Sequence, residues 1–334
     1  MIDFSNGITA SYYASKVDPK TWSDAGEISI VSGTVTKNAK SNLVVSADIT
    51  VKDDIDTEEW VRVYMIAEQG GTKERVPLFT GIVSSPTRSI NGLSETRKLD
   101  CYSVLKVAND ILLPLGWFAP ARTNGGELIK ILLSDLPCPV ELDGGSPNII
   151  SSFVAGNNDT KLSVAQEIAK AINWQIKVNG DGSVRICPLP LTIAGTFNNI
   201  DNDIIEMNVS DNRDTFSVPN VLRVTQSGSA ATARDDDPDS VYSTVNRGRE
   251  IWKQETAKVA AGESLGEYAT RRLKELQNPA RKLNYTRRFQ PDVDVNDLVS
   301  IIYPKQNIGD VFRVNTQTIE MSHGAKVKEE ALSE

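Results

Sequence analysis

The hydrophobic period of this 334-residue chain changes twice, and that limits the folds open to it. Through the first hundred residues apolar positions alternate. Glu27–Lys37, Asn42–Val51, Glu59–Glu68, Arg75–Ser85 and Ser94–Ser103 each read as a strand. In "EEWVRVYMIAE", Trp60, Arg62 and Tyr64 face one way and Val61, Val63 and Met65 the other. Period two, broken by short turns such as "QGGTKE" and "SINGLS", specifies an antiparallel barrel or sandwich. The acidic run "KDDIDTEE" is a solvated loop between strands.

The period then becomes helical. Ser103–Leu113 carries Val104, Val107, Ala108, Ile111 and Leu112 on one face and stops at Pro114. Gly126–Leu136 is a second short helix, ended by Pro137. Ser163–Trp174 is a third, with Ser163 and Gln166 as its capping box. Two short strands then flank Asn179-Gly180-Asp181-Gly182, a strong hairpin signal.

Alternation returns after residue 195. "NVLRVTQ" is a strand, and Ser229–Thr244, small, acidic and broken by proline, reads as a surface loop. Glu263–Gln277 reads as a helix capped by Ser264 with Glu267, expected to cover an open barrel end. Lys282–Pro291, Asp297–Pro304 and Gly309–Ser322 are strands, and the polar tail His323–Glu334 is expected to fray. The fold class is therefore mixed α+β and mainly β: two small antiparallel β-barrels with an inserted α+β module. The expected domains are 1–103, 104–195 and 196–334, the last with its covering helix 263–277.

Composition removes several classes of function. The net charge is −8, which argues against a free nucleic-acid binder, because phosphate contact needs an excess of Lys and Arg. Three widely spaced cysteines, Cys101, Cys138 and Cys187, offer no CxxC pair, so neither a zinc site nor a disulfide scaffold is expected. The N-terminus lacks the basic and apolar regions of a signal peptide, and no apolar run approaches membrane length. The one histidine, His323, sits in a turn-like "SHGAK", so Ser-His and Cys-His catalysis have no second candidate. No phosphate-cradling or dinucleotide motif occurs. No catalytic residue, metal ligand or cofactor is assigned.

One stretch imitates a metal site. Asp292-Val293-Asp294-Val295-Asn296 opens as a calcium-binding EF-hand loop does. Asp297 then replaces the required glycine, Tyr303 replaces the bidentate glutamate, and strands flank the stretch where helices are needed. The stretch is read as a turn through Asn296-Asp297 between two strands. Calcium or EDTA is expected to leave the melting temperature unchanged; a large calcium-dependent rise would overturn the reading.

The order of these segments resembles the tail hub, or baseplate hub, proteins of tailed bacteriophages and phage-derived contractile injection particles. The resemblance rests on "EEWVRVYMIAEQGGTKERVPLFTGIVSSPTRS", on the helix "SLGEYATRRLKELQNPARK", and on "NYTRRFQPDVDVNDLVSIIYP" that follows it. Pro291, Val295, Asp297 and Val299 match the family's last segment, with Asn296 where many relatives carry glycine. It implies a homotrimer whose six barrels form a ring of near-sixfold symmetry, adapting the tail tube above to the central spike below, among other baseplate proteins. It implies a place in the tail baseplate, with synthesis in the host cytoplasm and release by lysis. No membrane insertion and no specific nucleic-acid binding are expected. The Trp60–Tyr64 strand is either barrel core or an interface anchor. Two alternatives remain: a tail-associated murein hydrolase, for which no room is expected after the last strand, and a glycan-binding host-recognition protein, for which aromatics, at 6%, are few.

Overall fold

The computed structural model describes residues 2–92, 94–200, 204–226, 228–256 and 264–333. Strands hold 48% of the chain and helices 13%, so the fold is mixed α+β and mainly β, as the period-two pattern predicts. The first block contains β1 (Thr9–Asp18), β2 (Ser23–Ile28), β3 (Ile30–Asn38), β4 (Val45–Val51), β5 (Trp60–Gln69), β6 (Thr72–Val83), β7 (Thr87–Asn91) and β8 (Ser94–Ser103). The middle block contains α1 (Lys106–Asp110), β9 (Phe118–Ala119), α2 (Gly125–Leu132), β10 (Val140–Leu142), β11 (Phe153–Val154), α3 (Lys161–Ala171), β12 (Trp174–Val178) and β13 (Val184–Pro188). There follow β14 (Ile193–Asn198), β15 (Ile205–Asn212), β16 (Val221–Gln226), β17 (Ser229–Arg234), α4 (Thr244–Arg247), β18 (Trp252–Thr256) and α5 (Leu265–Leu276). The last strands are β19 (Lys282–Arg288), β20 (Leu298–Tyr303), β21 (Ile308–Glu320) and β22 (Lys326–Ser333).

The chain divides into two compact units. The larger holds residues 1–209 and 284–331, the smaller residues 210–283 and 332–334. This division crosses the expected third domain, 196–334, and leaves the first and second together in the larger unit. A fourteen-stranded sheet runs in the order β15-β19-β22-β21-β3-β4-β8-β6-β5-β1-β2, with β20 and β14 branching from β21 and β7 from β8. Among the described residues this order is open. The seam between the first and last strand blocks is the antiparallel pair of β21 and β3, where Thr318 stands opposite Thr36.

Strand β5 departs from the expected one-sided burial. Trp60 through Met65 are all buried, because both faces of the strand are covered. Trp60 and Tyr64 are therefore core residues of this chain. Trp60 meets Trp22 edge-on at 5.4 Å, and Tyr64 stacks on Tyr13 at 5.2 Å.

In the middle block α2 and α3 both form, α2 ending at Leu132, short of the expected Leu136. α1 is shorter than Ser103–Leu113, because Ile111 turns extended and Leu112 bridges to Thr160. α3 starts earlier than expected. Thr160 is its cap, and Ser163 serves as the third residue of the box. Gln166, freed from capping, donates instead to the Asn42 carbonyl. The hairpin of β12 and β13 closes on Asn179–Gly182 as expected.

The smaller unit has its own core. β16 lies between β17 and β18, and Leu222, Val224 and Ala233 pack on Tyr268, Ala269 and Leu273 of α5. The helix read as a barrel cover is thus the second layer of this unit. Its Ser264–Glu267 capping box forms as expected, while Glu263 lies outside the described residues. The segment Ser229–Thr244, read as a loop, starts as strand β17, because its small residues fit beside Val221–Gln226.

The C-terminal tail is the largest departure. Residues 326–333 form β22, not a frayed end, and Val327, Glu329 and Ala331 alternate inward. Glu329 breaks the apolar pattern that would have marked the strand, and it is buried because Arg287 pairs with it.

Candidate functional site

Three buried polar clusters, all in the larger unit, hold the strand blocks and the middle block together. In the first, Arg287 on β19 meets Glu329 on β22 with both side chains fully shielded from solvent. Nε donates to Oε2 at 2.8 Å and Nη2 to Oε1 at 2.6 Å, a bidentate fork. Gln317 on β21 donates to the same Glu329 Oε1 at 2.8 Å and to the Val293 carbonyl at 3.0 Å. The Arg287 guanidinium lies 4.9 Å from the Phe197 ring centre.

The second cluster occupies the stretch that imitates a calcium loop. Lys37 on β3 donates to both oxygens of Asp294 at 2.9 Å, and Lys177 on β12 approaches to 3.6 Å. Asp297 accepts the Asp294 amide at 2.7 Å. Asn296 holds the turn at φ +68° and donates to Gln175 of β12 at 2.9 Å. A left-handed turn of this kind suits Asn and Gly. Burial alone would push the Asp294 carboxyl up, but the two lysines outweigh it and hold the group below the usual carboxylate range. Its oxygens are turned to the ammonium groups of Lys37 and Lys177. The opening of the motif is thus a turn, and it clasps β3, β12 and β21 together.

The third cluster centres on Arg62. Nε donates to Thr80 Oγ1 and Nη1 to Asp24, both at 2.9 Å. Nη2 donates to the Trp22 carbonyl at 3.2 Å and to the Asp181 carbonyl at 3.1 Å. Asp181 belongs to the hairpin tip. Trp22 Nε1 also donates to that carbonyl, and Thr80 donates to Gly180. The tip lies flat on β6: a Cβ on Gly180 would stand 2.0 Å from the Pro77 carbonyl oxygen.

These three clusters fix one element against another. The thiols of Cys101 and Cys138 are pushed up to about 12 by burial, and that of Cys187 is raised for the same reason, so none is a thiolate near neutrality. His323 is exposed, and its carbonyl accepts the Ala10 amide. Among the described residues no three of His, Cys, Asp or Glu are grouped to hold a metal ion. Among the described residues no helix is long and apolar enough to cross a membrane. Sequence reasoning missed Arg62, Asp181, Arg287 and Glu329. An arginine and a glutamate at inward positions of alternating strands were the available signal.

The fold so assembled is that of phage tail proteins. A tail protein from Neisseria meningitidis MC58 matches with TM-score 0.69 at 14% identity, covering 98% of this chain and 97% of that one. The 43 kDa tail protein of prophage MuSo2 from Shewanella oneidensis matches at 0.67 and 12% identity, covering 97% and 98%. A component of the type VI secretion system from E. coli, itself similar to T4 bacteriophage tail proteins, matches at 0.51 and 7% identity, covering 92% and 74%. What is shared at these identities is the fold. No family model and no curated protein matches the chain.

Proposed function

We propose that this protein is a structural hub of a phage-type tail. Three copies form a ring of near-sixfold symmetry that joins the tail tube to the central spike among the baseplate proteins, and it catalyses no reaction. One observation carries the reading: the likeness to tail proteins runs over almost the full length of both chains. The arrangement of strands supports it. Residues 1–103 supply an antiparallel set, the later strands a mixed one in which β14 runs parallel to β20, and the two sets meet at the antiparallel pair of β3 and β21. Residues 104–195 hang from that sheet by the clusters around Asp294 and Arg62. Ring assembly from a heterologous interface needs rigid subunits, so that the rotation closes. The buried bidentate pair of Arg287 and Glu329 and a docked hairpin support that rigidity. In this reading the protein resides in the tail baseplate, made in the host cytoplasm and released by lysis.

Light scattering on the purified protein should give three times the 36.5 kDa chain mass, alone or once the tube or spike protein is added. A monomer in every mixture would sink the hub reading. Clearing of a cell-wall gel by the purified chain would favour a murein hydrolase, and glycan-array binding a host-recognition protein.

A further inference from the structure

The hairpin of the middle block has an open side. Its sheet runs β10-β13-β12, so β12 is an edge strand. Leu189 donates to the Asn173 carbonyl and Asn179 to the Ser183 carbonyl, which fixes the alternation of the ladder. Residues 173, 175, 177 and 179 therefore turn their backbone groups toward β13, and Trp174 and Ile176 turn theirs outward. Among the described residues no group bonds those outward N–H and C=O groups.

They open into a groove of about 600 Å³. Helix α3 forms one wall, with Gln166 and Lys170. The turn after β3 forms another, with Lys40, and Asn296 closes one end. Lys40 and Lys170 are exposed and make no ion pair among the described residues. Glu167 is the acid on the lining, so the rim carries two lysines against one glutamate. A walled channel beside an unpaired strand edge is the geometry of strand addition, in which main-chain bonds give affinity and the walls select side chains.

We propose that this groove takes an extended segment of another protein as a fourth strand beside β12, and that the segment carries acidic side chains for Lys40 and Lys170. The proposal is independent of the hub reading, since strand addition needs neither a trimer nor a spike.

Three labelled octapeptides of alternating valine and polar residues, carrying two Glu, two Gln or two Lys, test it by fluorescence anisotropy on the full chain. The Glu peptide should bind tightest and the Lys peptide about ten-fold more weakly at low salt. Methylating alternate backbone nitrogens of the Glu peptide should abolish binding. Hydrogen exchange of the 172–178 fragment, read by mass spectrometry, should slow when the Glu peptide is added. The surface double variant Lys40→Glu with Lys170→Glu should reverse the preference while keeping the fold. The proposal is overturned if none of the three peptides binds at about 1 mM. It is also overturned if binding survives N-methylation, or if binding leaves the 172–178 fragment exchanging as before. Full protection of that fragment in the free chain would show the edge already closed by the chain or by a second copy, and would overturn it too.

Discussion

Asp294 and Asp297 lie in one turn, yet they answer to pH in opposite senses. Asp294 is held low by Lys37 and Lys177 against the effect of its burial. Asp297 is pushed up by burial, which the Asp294 amide offsets only in part. A carboxyl lowered by folding adds stability above its unfolded pKa of about 3.9, and that stability is lost as pH falls through the lower folded value. A carboxyl raised by folding does the reverse: its cost builds as pH rises past the unfolded value and is complete above the folded one. Asp297→Asn keeps an oxygen to accept the amide and removes the buried charge. It should raise the melting temperature at pH 7 and give no gain near pH 3. Asp294→Asn should lower it at pH 7, with the deficit shrinking in acid. Equal shifts at both pH values, read from thermal melts, would refute the assignment. The Arg287–Glu329 pair makes a sharper case. Removing one partner strands a charge away from water, so Glu329→Ala should cost about 3–5 kcal/mol in urea unfolding. Replacing both, Arg287→Met with Glu329→Leu, should cost less than either single change. A double variant as weak as the sum of the singles would show that the pair is not the origin of the loss.

At the scale of elements, the hairpin tip is the joint whose tolerance is smallest. Gly180→Ala would drive a methyl into the Pro77 carbonyl, and overpacking of that kind costs about 1–3 kcal/mol. Gly145→Ala, where the space is open, should stay within about 0.5 kcal/mol. Chemical denaturation of the two variants compares them directly; equal losses would mean that the tip is not seated on β6. The hairpin itself was legible, because the run Asn179-Gly180-Asp181-Gly182 fixes a turn locally, with Gly182 left-handed at φ +83°. So were the alternating strands and the Ser264–Glu267 box, which depend on neighbours in sequence. What the hairpin touches was not legible, because Trp22, Arg62 and Pro77 are remote in the chain. β22 was hidden for a related reason. A buried glutamate reads as solvent-facing until its arginine, far upstream, is known. The clasp at Asp294 was legible as a turn but not as a junction, since nothing near it in sequence announces Lys37 or Lys177. The early start of α3 was a contest between Thr160 and Ser163 for the same role, which spacing alone leaves open.

For the molecule as a whole, the smaller unit is an insertion between strands that pair with each other. β15 leads into residues 210–283 and β19 leads out, and the two are neighbours in the large sheet. Each unit has its own apolar core. Replacing 210–283 with a short glycine-rich turn should leave the larger unit folded, with a cooperative thermal transition followed by circular dichroism. Loss of that transition would mean that the insertion is required for the sheet. The long sheet also sets a timetable for biosynthesis. Tyr12 hydrogen-bonds to the Ser322 carbonyl, a partner 310 residues later. At about 5–20 residues per second, a ribosome needs on the order of fifteen to sixty seconds to supply it. Throughout that interval the outer edge of β3 waits without β21, exposed to any other nascent strand nearby. Aggregation of nascent chains is therefore expected while the codons between β3 and β21 are read, and slowing the ribosome there should lower yield more than slowing it before β3 has been made.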